Sequence, residues 1–287
     1  MNITLSNSTL SETVSPQGAE LHSIQHQGRE YLWQADPNVW GRHAPILFPI
    51  VGRLKGDQYF YGGRRFSMKQ HGLARDRKFA IGSQTNLSTT LKLVTDTQTL
   101  PIYPFEFELE VSYQLRGNKI YVGYHVENPG ERDLPFSIGG HPGFSCPIDK
   151  EEKLTDYQIR FEQAETIQRD LLEGGLLSGT SSPILENEQI IPIDEHLFDK
   201  DALVFRGLKS KWVKLESTKG PHSVTLHCEG FPYFGIWAKP RAPFVCLEPW
   251  FGHADSAESN GQLIEKPGIQ LLAPEESFQC TYIIEIN

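Results

Sequence analysis

The chain has 287 residues, 38% hydrophobic and 22% charged, with 27 Lys and Arg against 36 Asp and Glu for a net charge of −9. That balance excludes a disordered or coiled-coil chain and disfavours nonspecific nucleic-acid binding, which needs basic surface. The longest uncharged apolar run, Ala44 to Gly52, falls far short of the ~20 residues of a membrane helix, and MNITLSNSTL has no basic region ahead of an apolar core.

Cys146, Cys228, Cys246 and Cys280 are widely spaced and form no C-x-x-C pair. They predict reduced, mostly buried thiols, with no cysteine zinc site and no disulfide framework, as in a cytoplasmic protein. The length fits one large all-β unit, and no linker, repeat or low-complexity tract divides it, so residues 1–287 are expected to form one domain.

In chain order, Pro45 to Lys55 (PILFPIVGRLK) reads as a buried strand that delivers Arg53 at its end, or as an arginine paired with a surface carboxylate. Between Arg53 and Lys78 eight basic residues face only Asp57 and Asp76. Most suit a solvated hairpin. Arg53 and Arg75, each in a small-residue turn, are the candidates for an anionic or polyhydroxyl ligand. Gln70 to Arg75 (QHGLAR) sets His71 directly before a glycine, where it either caps a turn or meets a ligand.

Period-two alternation then dominates. Phe105, Phe107, Leu109, Val111, Tyr113 and Leu115 alternate with Glu and other polar residues, and Ile120, Val122, Tyr124 and Val126 follow after Gly117-Asn118. The pair predicts an antiparallel hairpin around Arg116 to Lys119. Further short strands are expected at 88–95, 157–162, 211–216, 223–228, 234–238, 244–248 and 278–286. The polar stretch 163–190 reads as a surface excursion, and 256–266 as at most a short turn or helix. With 25 Gly and 19 Pro between the strands, the pattern predicts an antiparallel β-sandwich or barrel.

Two places concentrate chemistry. Ser137 to Phe144 (SIGGHPGF) surrounds His141 with three glycines and a proline, which implies a backbone shaped to present the imidazole. Phe244 to Gly252 (FVCLEPWFG) sets Glu248 inside an apolar run. A carboxylate buried there is pushed toward the range of a general base, whereas on an edge strand it would simply face water. Together His141 and Glu248 make an acid–base pair. Trp33, Trp40, Phe48, Tyr233, Trp237, Trp250 and Phe251 sit near this or the earlier motifs and offer faces for sugar C–H groups, although packing explains most such rings. G-x-S-x-G, P-loop, H-E-x-x-H and dinucleotide fingerprints are absent, and no ligand spacing links His71, His141 and His253.

The ordered set PIVGRLK, KQHGLAR, SIGGHPGF and FGIWAKPRAPFVCLEPWFG resembles the aldose 1-epimerase (mutarotase) family over nearly the whole chain, nearest the branch of LacX-like proteins. The resemblance implies a large antiparallel supersandwich of the galactose mutarotase type, with an open cleft, a small-molecule sugar substrate, no cofactor and no metal. It implies His141 as the general acid at the ring oxygen and Glu248 as the general base at the C1 hydroxyl. His71 and Arg53 would hold the sugar. Apart from the resemblance, Arg75 from the basic segment and Trp237 from the nearby aromatics are expected as further contacts. The family's sugar-binding aspartate matches Asp201, which precedes an apolar strand, or Asp199. Gly140 stands where the main branch has Asn before its histidine. Hexose 6-phosphates and purely noncatalytic sugar binding are the alternatives, and the oligomeric state is open.

Overall fold

A computed structural model describes all 287 residues. Strands carry the fold. The only helical turns are four 3-10 segments, Lys55–Asp57, Ala74–Asp76, Leu154–Asp156 and Leu263–Glu265, the last within the stretch expected to hold a short turn. The antiparallel sandwich expected from the alternation is present. No helix is long and apolar enough to cross a membrane.

The N-terminal strands Ile3–Ser6, Leu10–Ser15, Glu20–His26 and Arg29–Glu30 form a four-stranded antiparallel sheet. Leu134–Phe136 pairs with Gln270–Leu272, and Gln58–Tyr61 with Arg64–Ser67, as separate two-stranded sheets. The other strands build a large sheet that starts at Ile46–Leu47. It passes through Ile138–Gly140, Phe244–Phe251, Tyr233–Trp237, Leu203–Arg206 and Tyr157–Glu173, and ends on Glu108–Arg116, Ser88–Val94 and Ala80–Gln84. This sheet folds over itself: Phe48, beside one edge, meets Phe107, near the other, at a ring distance of 5.1 Å. The main apolar core of 67 buried residues runs from Ile3 to Ile286, and a second small cluster gathers Leu47, Val51, Ala202, Val204 and Trp250.

The predicted hairpin has the expected register. Glu108–Arg116 pairs with Lys119–Glu127, Leu109 opposite Val126 and Arg116 opposite Lys119. Leu109, Val111, Tyr113 and Leu115 are buried, and the charged residues between them are half-buried. Gly117 takes a φ of 60° in the two-residue turn, which a side chain would resist. The four cysteines are free, three of them buried.

The stretch 163–190, expected as a surface excursion, is instead a long antiparallel arm. Tyr157–Glu173 and Leu176–Pro192 pair across Gly174-Gly175, whose φ values are 59° and 81°. Tyr157, Ile159, Phe161, Leu185 and Ile191 pack into the core, and Leu177, just past the turn, is buried as well.

One core position is out of character. Glu12 shares the inward face of its strand with Leu10 and Val14, is fully buried, and has no partner for either carboxylate oxygen. Burial pushes its pKa from 4.5 up to about 8. The folded protein therefore keeps Glu12 protonated where the unfolded chain would ionise it. The stability this provides is complete below the unfolded pKa and is lost as pH rises through the folded value, a total of about 5 kcal/mol for a shift of this size. Denaturant titrations at about pH 5 and pH 9 should show this loss, and Glu12→Gln should remove most of it. An equal pH dependence in the two proteins would disprove the assignment.

Candidate functional site

Strand Phe244–Phe251 is buried along nearly its whole length because it separates the core from a cleft. Alternation sends Phe244, Cys246, Glu248 and Trp250 to one face. There Phe244 stacks on Trp40 at 5.1 Å, and Glu248 and Trp250 line the cleft. Its neighbours set glycines beside these rings. Gly235 lies opposite Glu248, and Gly139 opposite Trp250. A Cβ on Gly235 would come within 2.4 Å of the Trp250 ring, and one on Gly139 within 2.5 Å. The indole thus lies flat across two bare backbones and forms the cleft floor.

The same logic explains the glycines around His141. A Cβ on Gly140 would meet the Tyr282 hydroxyl at 2.7 Å, and one on Gly143 would meet Trp40 at 2.8 Å. Freed by these close approaches, the turn brings His141 against Trp40 (stacked, 5.1 Å), Trp237 (edge-on, 5.7 Å) and His71 (edge-on, 5.4 Å). His141 Nε2 lies 3.2 Å from Glu248 Oε2, and both side chains are almost wholly buried. The two groups are out of line for a hydrogen bond, and Glu248 Oε2 and His141 Nδ1 have no partner.

Burial pushes Glu248 well above the usual carboxylate range. The neighbouring Trp250 indole N–H opposes that shift and nearby Asp201 adds to it. Burial also pushes His141 down to about 3, with Arg75 and Arg42 adding to the effect. Both members of the pair are therefore held neutral, with the titratable proton on Glu248 and none added to His141.

All seven residues singled out in the sequence line this cleft of about 410 Å³: Arg53, His71, Arg75, His141, Asp201, Trp237 and Glu248. That volume lies in the range of small-molecule sites. His71 and Asp201 both take left-handed backbone, with φ of 66° and 69°, a conformation that L residues adopt sparingly and that clusters at functional sites. His71 is bolted to Gly52 twice: its N–H donates to the Gly52 carbonyl at 2.8 Å, and its Nδ1 accepts from the Gly52 N–H at 3.2 Å. Burial, with His141, Arg75 and Arg42 nearby, pushes His71 well below the usual histidine range. The neutral ring must then carry its proton on Nε2, as a donor.

Asp201 reaches the cleft, whereas Asp199 is exposed and bonded to His196 Nδ1 at 2.7 Å. Arg53 satisfies both readings at once. Its guanidinium is bidentate to Asp57 at 2.9 and 2.8 Å, and it also lines the cleft. Regular strand before it spans only Ile46–Leu47. Arg75 contacts no carboxylate: its Nη2 donates to the Gln70 carbonyl at 2.6 Å and its Nε is buried without a partner. Burial and the neighbouring Arg42 push it down to about 10.

The arm is what the sequence reading missed. Leu172, Gly174, Gly175 and Leu177 form one wall of the cleft, and Arg53 Nη1 donates to the Gly174 carbonyl at 3.2 Å. The signal was present in LLEGGLL, two glycines between apolar pairs, which is a hairpin pattern. Trp40, Trp250 and His253 also line the cleft.

Two side-chain clusters could hold a metal ion. The donor atoms of His141, Cys246 and Glu248 lie within 4.8 Å of one another, although burial keeps the Cys246 thiol well above its ordinary pKa. Glu20, His22 and His43 form the second, but their imidazoles stack within 16° of parallel at 4.2 Å, so the ring lone pairs do not converge.

Comparisons with known proteins agree on the family and the fold. The family described as aldose 1-epimerase matches residues 1–280. The plasmid-borne and chromosomal LacX proteins of Lactococcus lactis subsp. lactis are each 35% identical over 100% of this chain and 99% of theirs. A galactose mutarotase related enzyme of Lactobacillus acidophilus superposes with a TM-score of 0.96 at 35% identity, covering 100% of this chain and 97% of that one. A galactose mutarotase-like protein of Lactobacillus casei gives 0.94 at 31% identity, with both chains fully covered. With its fold, its cleft and these relatives in agreement, the chain belongs to the aldose 1-epimerase family.

Proposed function

We propose that the protein is a mutarotase that interconverts the α and β anomers of a free aldose by acid–base ring opening and closure. One observation carries the reading: a buried imidazole and a buried carboxyl stand 3.2 Å apart in an open cleft. In the reactive form the one titratable proton of the pair sits on His141. Glu248 takes the proton of the C1 hydroxyl, the bond between C1 and the ring oxygen breaks, and His141 gives its proton to the ring oxygen. The open-chain aldehyde turns about C1–C2. Closure on the other face reverses both transfers, so the pair ends as it began. Arg53, Asp201 and the Nε2–H of His71 hold hydroxyls, and Trp237 and Trp250 offer ring faces to sugar C–H groups.

Freshly dissolved α-glucose and α-galactose should reach anomeric equilibrium faster with the protein than without it, and Glu248→Gln should remove the acceleration. Polarimetry or NMR exchange reads both. Sugar binding with no acceleration would instead favour a noncatalytic carbohydrate-binding protein.

A hexose 6-phosphate is the second substrate reading, and Arg75 favours it. The side chain has a partnerless Nε, no carboxylate in contact and Arg42 beside it, which suits a phosphate. Under this reading glucose 6-phosphate outcompetes glucose, and Arg75→Gln abolishes the preference. Equal affinity for the two sugars would leave the free aldose as substrate.

A further inference from the structure

We propose that His253 is a substrate-binding residue: through Nε2 it accepts a hydrogen bond from one sugar hydroxyl, and it so selects sugars that carry that hydroxyl. This rests on the mutarotase reading for its substrate class.

His253 lines the cleft beside Trp250 and Ala254 and is 3% exposed. Its Nδ1 lies 2.7 Å from the Ala254 carbonyl, which can only accept, so Nδ1 carries the proton and donates it. A neutral ring protonated at Nδ1 has a bare acceptor at Nε2. The ring is neutral because burial pushes it down to about 4, with Lys266 and Arg206 adding to the effect, against the opposing Ala254 hydrogen bond and Asp170. Nε2 is buried and has no partner in the protein. A buried acceptor without a donor is costly to maintain, and a ligand hydroxyl would satisfy it.

The ring is also held still. Its edge packs on Tyr233 at 4.8 Å, and the His253 carbonyl accepts from Lys266 Nζ at 2.6 Å. Lys266 is itself paired with Asp255 at 2.9 Å, and both are buried. Asp255 reaches across to the Arg53 segment: its N–H donates to the Arg53 carbonyl at 2.9 Å, and its Oδ2 accepts from the Lys55 N–H at 3.0 Å. The acceptor is therefore fixed relative to Arg53 before any ligand arrives.

His253 and His71 are a complementary pair. Each is neutral and each has its tautomer set by a backbone group, one by a carbonyl and the other by an N–H. The first offers the cleft an acceptor and the second a donor. A phosphate or carboxylate oxygen has no proton to give to His253, whereas a sugar hydroxyl does.

The test uses full-length protein labelled with 15N at histidine, with His253→Phe and His253→Gln as variants. Glucose and galactose at saturating concentration should shift the His253 Nε2 resonance. His253→Phe keeps the ring shape and removes the acceptor. It should raise KM about tenfold with kcat nearly unchanged. His253→Gln, which restores an acceptor, should recover part of the loss. In a series of monodeoxy sugars the KM increase should vanish for the one sugar that lacks the partner hydroxyl. An Nε2 resonance unmoved by either sugar, or a KM increase equal across the whole series, would overturn the proposal. Normal turnover with an unmoved resonance rejects this proposal alone. A shifted resonance without any catalysis rejects the catalytic reading alone.

Discussion

Glu248→Gln is expected to lower the enzymatic anomerisation rate by about 10²–10⁴-fold while the fold persists, and His141→Ala to do the same. Gln has the shape of Glu and cannot accept the C1 hydroxyl proton, so the loss should fall on kcat rather than on KM. Because the two groups act as one proton-sharing unit, the double variant should be little worse than the poorer single variant. The pH profile follows from the same pair. Burial holds His141 near 3 and Glu248 well above its ordinary value, so the pair keeps its single proton between those limits. The enzymatic rate should stay flat across about pH 5 to 7, after the spontaneous rate is subtracted. Near-normal turnover in both single variants, measured by NMR exchange with circular dichroism as the folding control, would refute the assignment.

Gly235→Ala should damage both stability and function, although it adds only one methyl group. Its Cβ would fall 2.4 Å from the Trp250 ring, so the indole must lift off the sheet. Overpacking of this kind costs about 1–3 kcal/mol. Gly235 also pairs directly with Glu248, so strain there displaces the base and deforms the floor at once. Urea denaturation should show the lost stability, and kcat/KM should fall with it. Gly41→Ala is the control: its Cβ would meet only Pro37, at 3.6 Å, an ordinary contact, and it should behave as wild type. If Gly235→Ala matched that control, Trp250 would not be the fixed floor described above.

The fold was legible wherever one face of a strand is wet. Leu109 to Leu115 alternate cleanly because Glu108–Arg116 has a single buried face. His141 and Glu248 stood out for a related reason, being polar groups inside segments otherwise built of glycine or apolar residues. What sequence could not reveal is why those glycines are there. Gly139, Gly140 and Gly143 make room for Trp250, Tyr282 and Trp40, rings that come from distant parts of the chain. The arm escaped for the opposite reason. Both its faces are partly exposed and its register slips several times between Arg160 and Leu172, so no period survives to be read. His253 could not be ranked above other histidines, because its role depends on which ring nitrogen the Ala254 carbonyl engages.

The arm gives the cleft a division of labour. The acid and base stand on the central sheet, fixed by packing that a single added methyl group would disturb. The facing wall, Leu172 to Leu177, hangs on a hairpin whose tip meets solvent and joins the body at few points, among them the Leu177 N–H bond to the Asp255 carbonyl at 2.8 Å. A change in the length or polarity of this hairpin would therefore reshape one wall of the cleft while the proton-transfer pair and the sugar-binding side chains of the body stay in place.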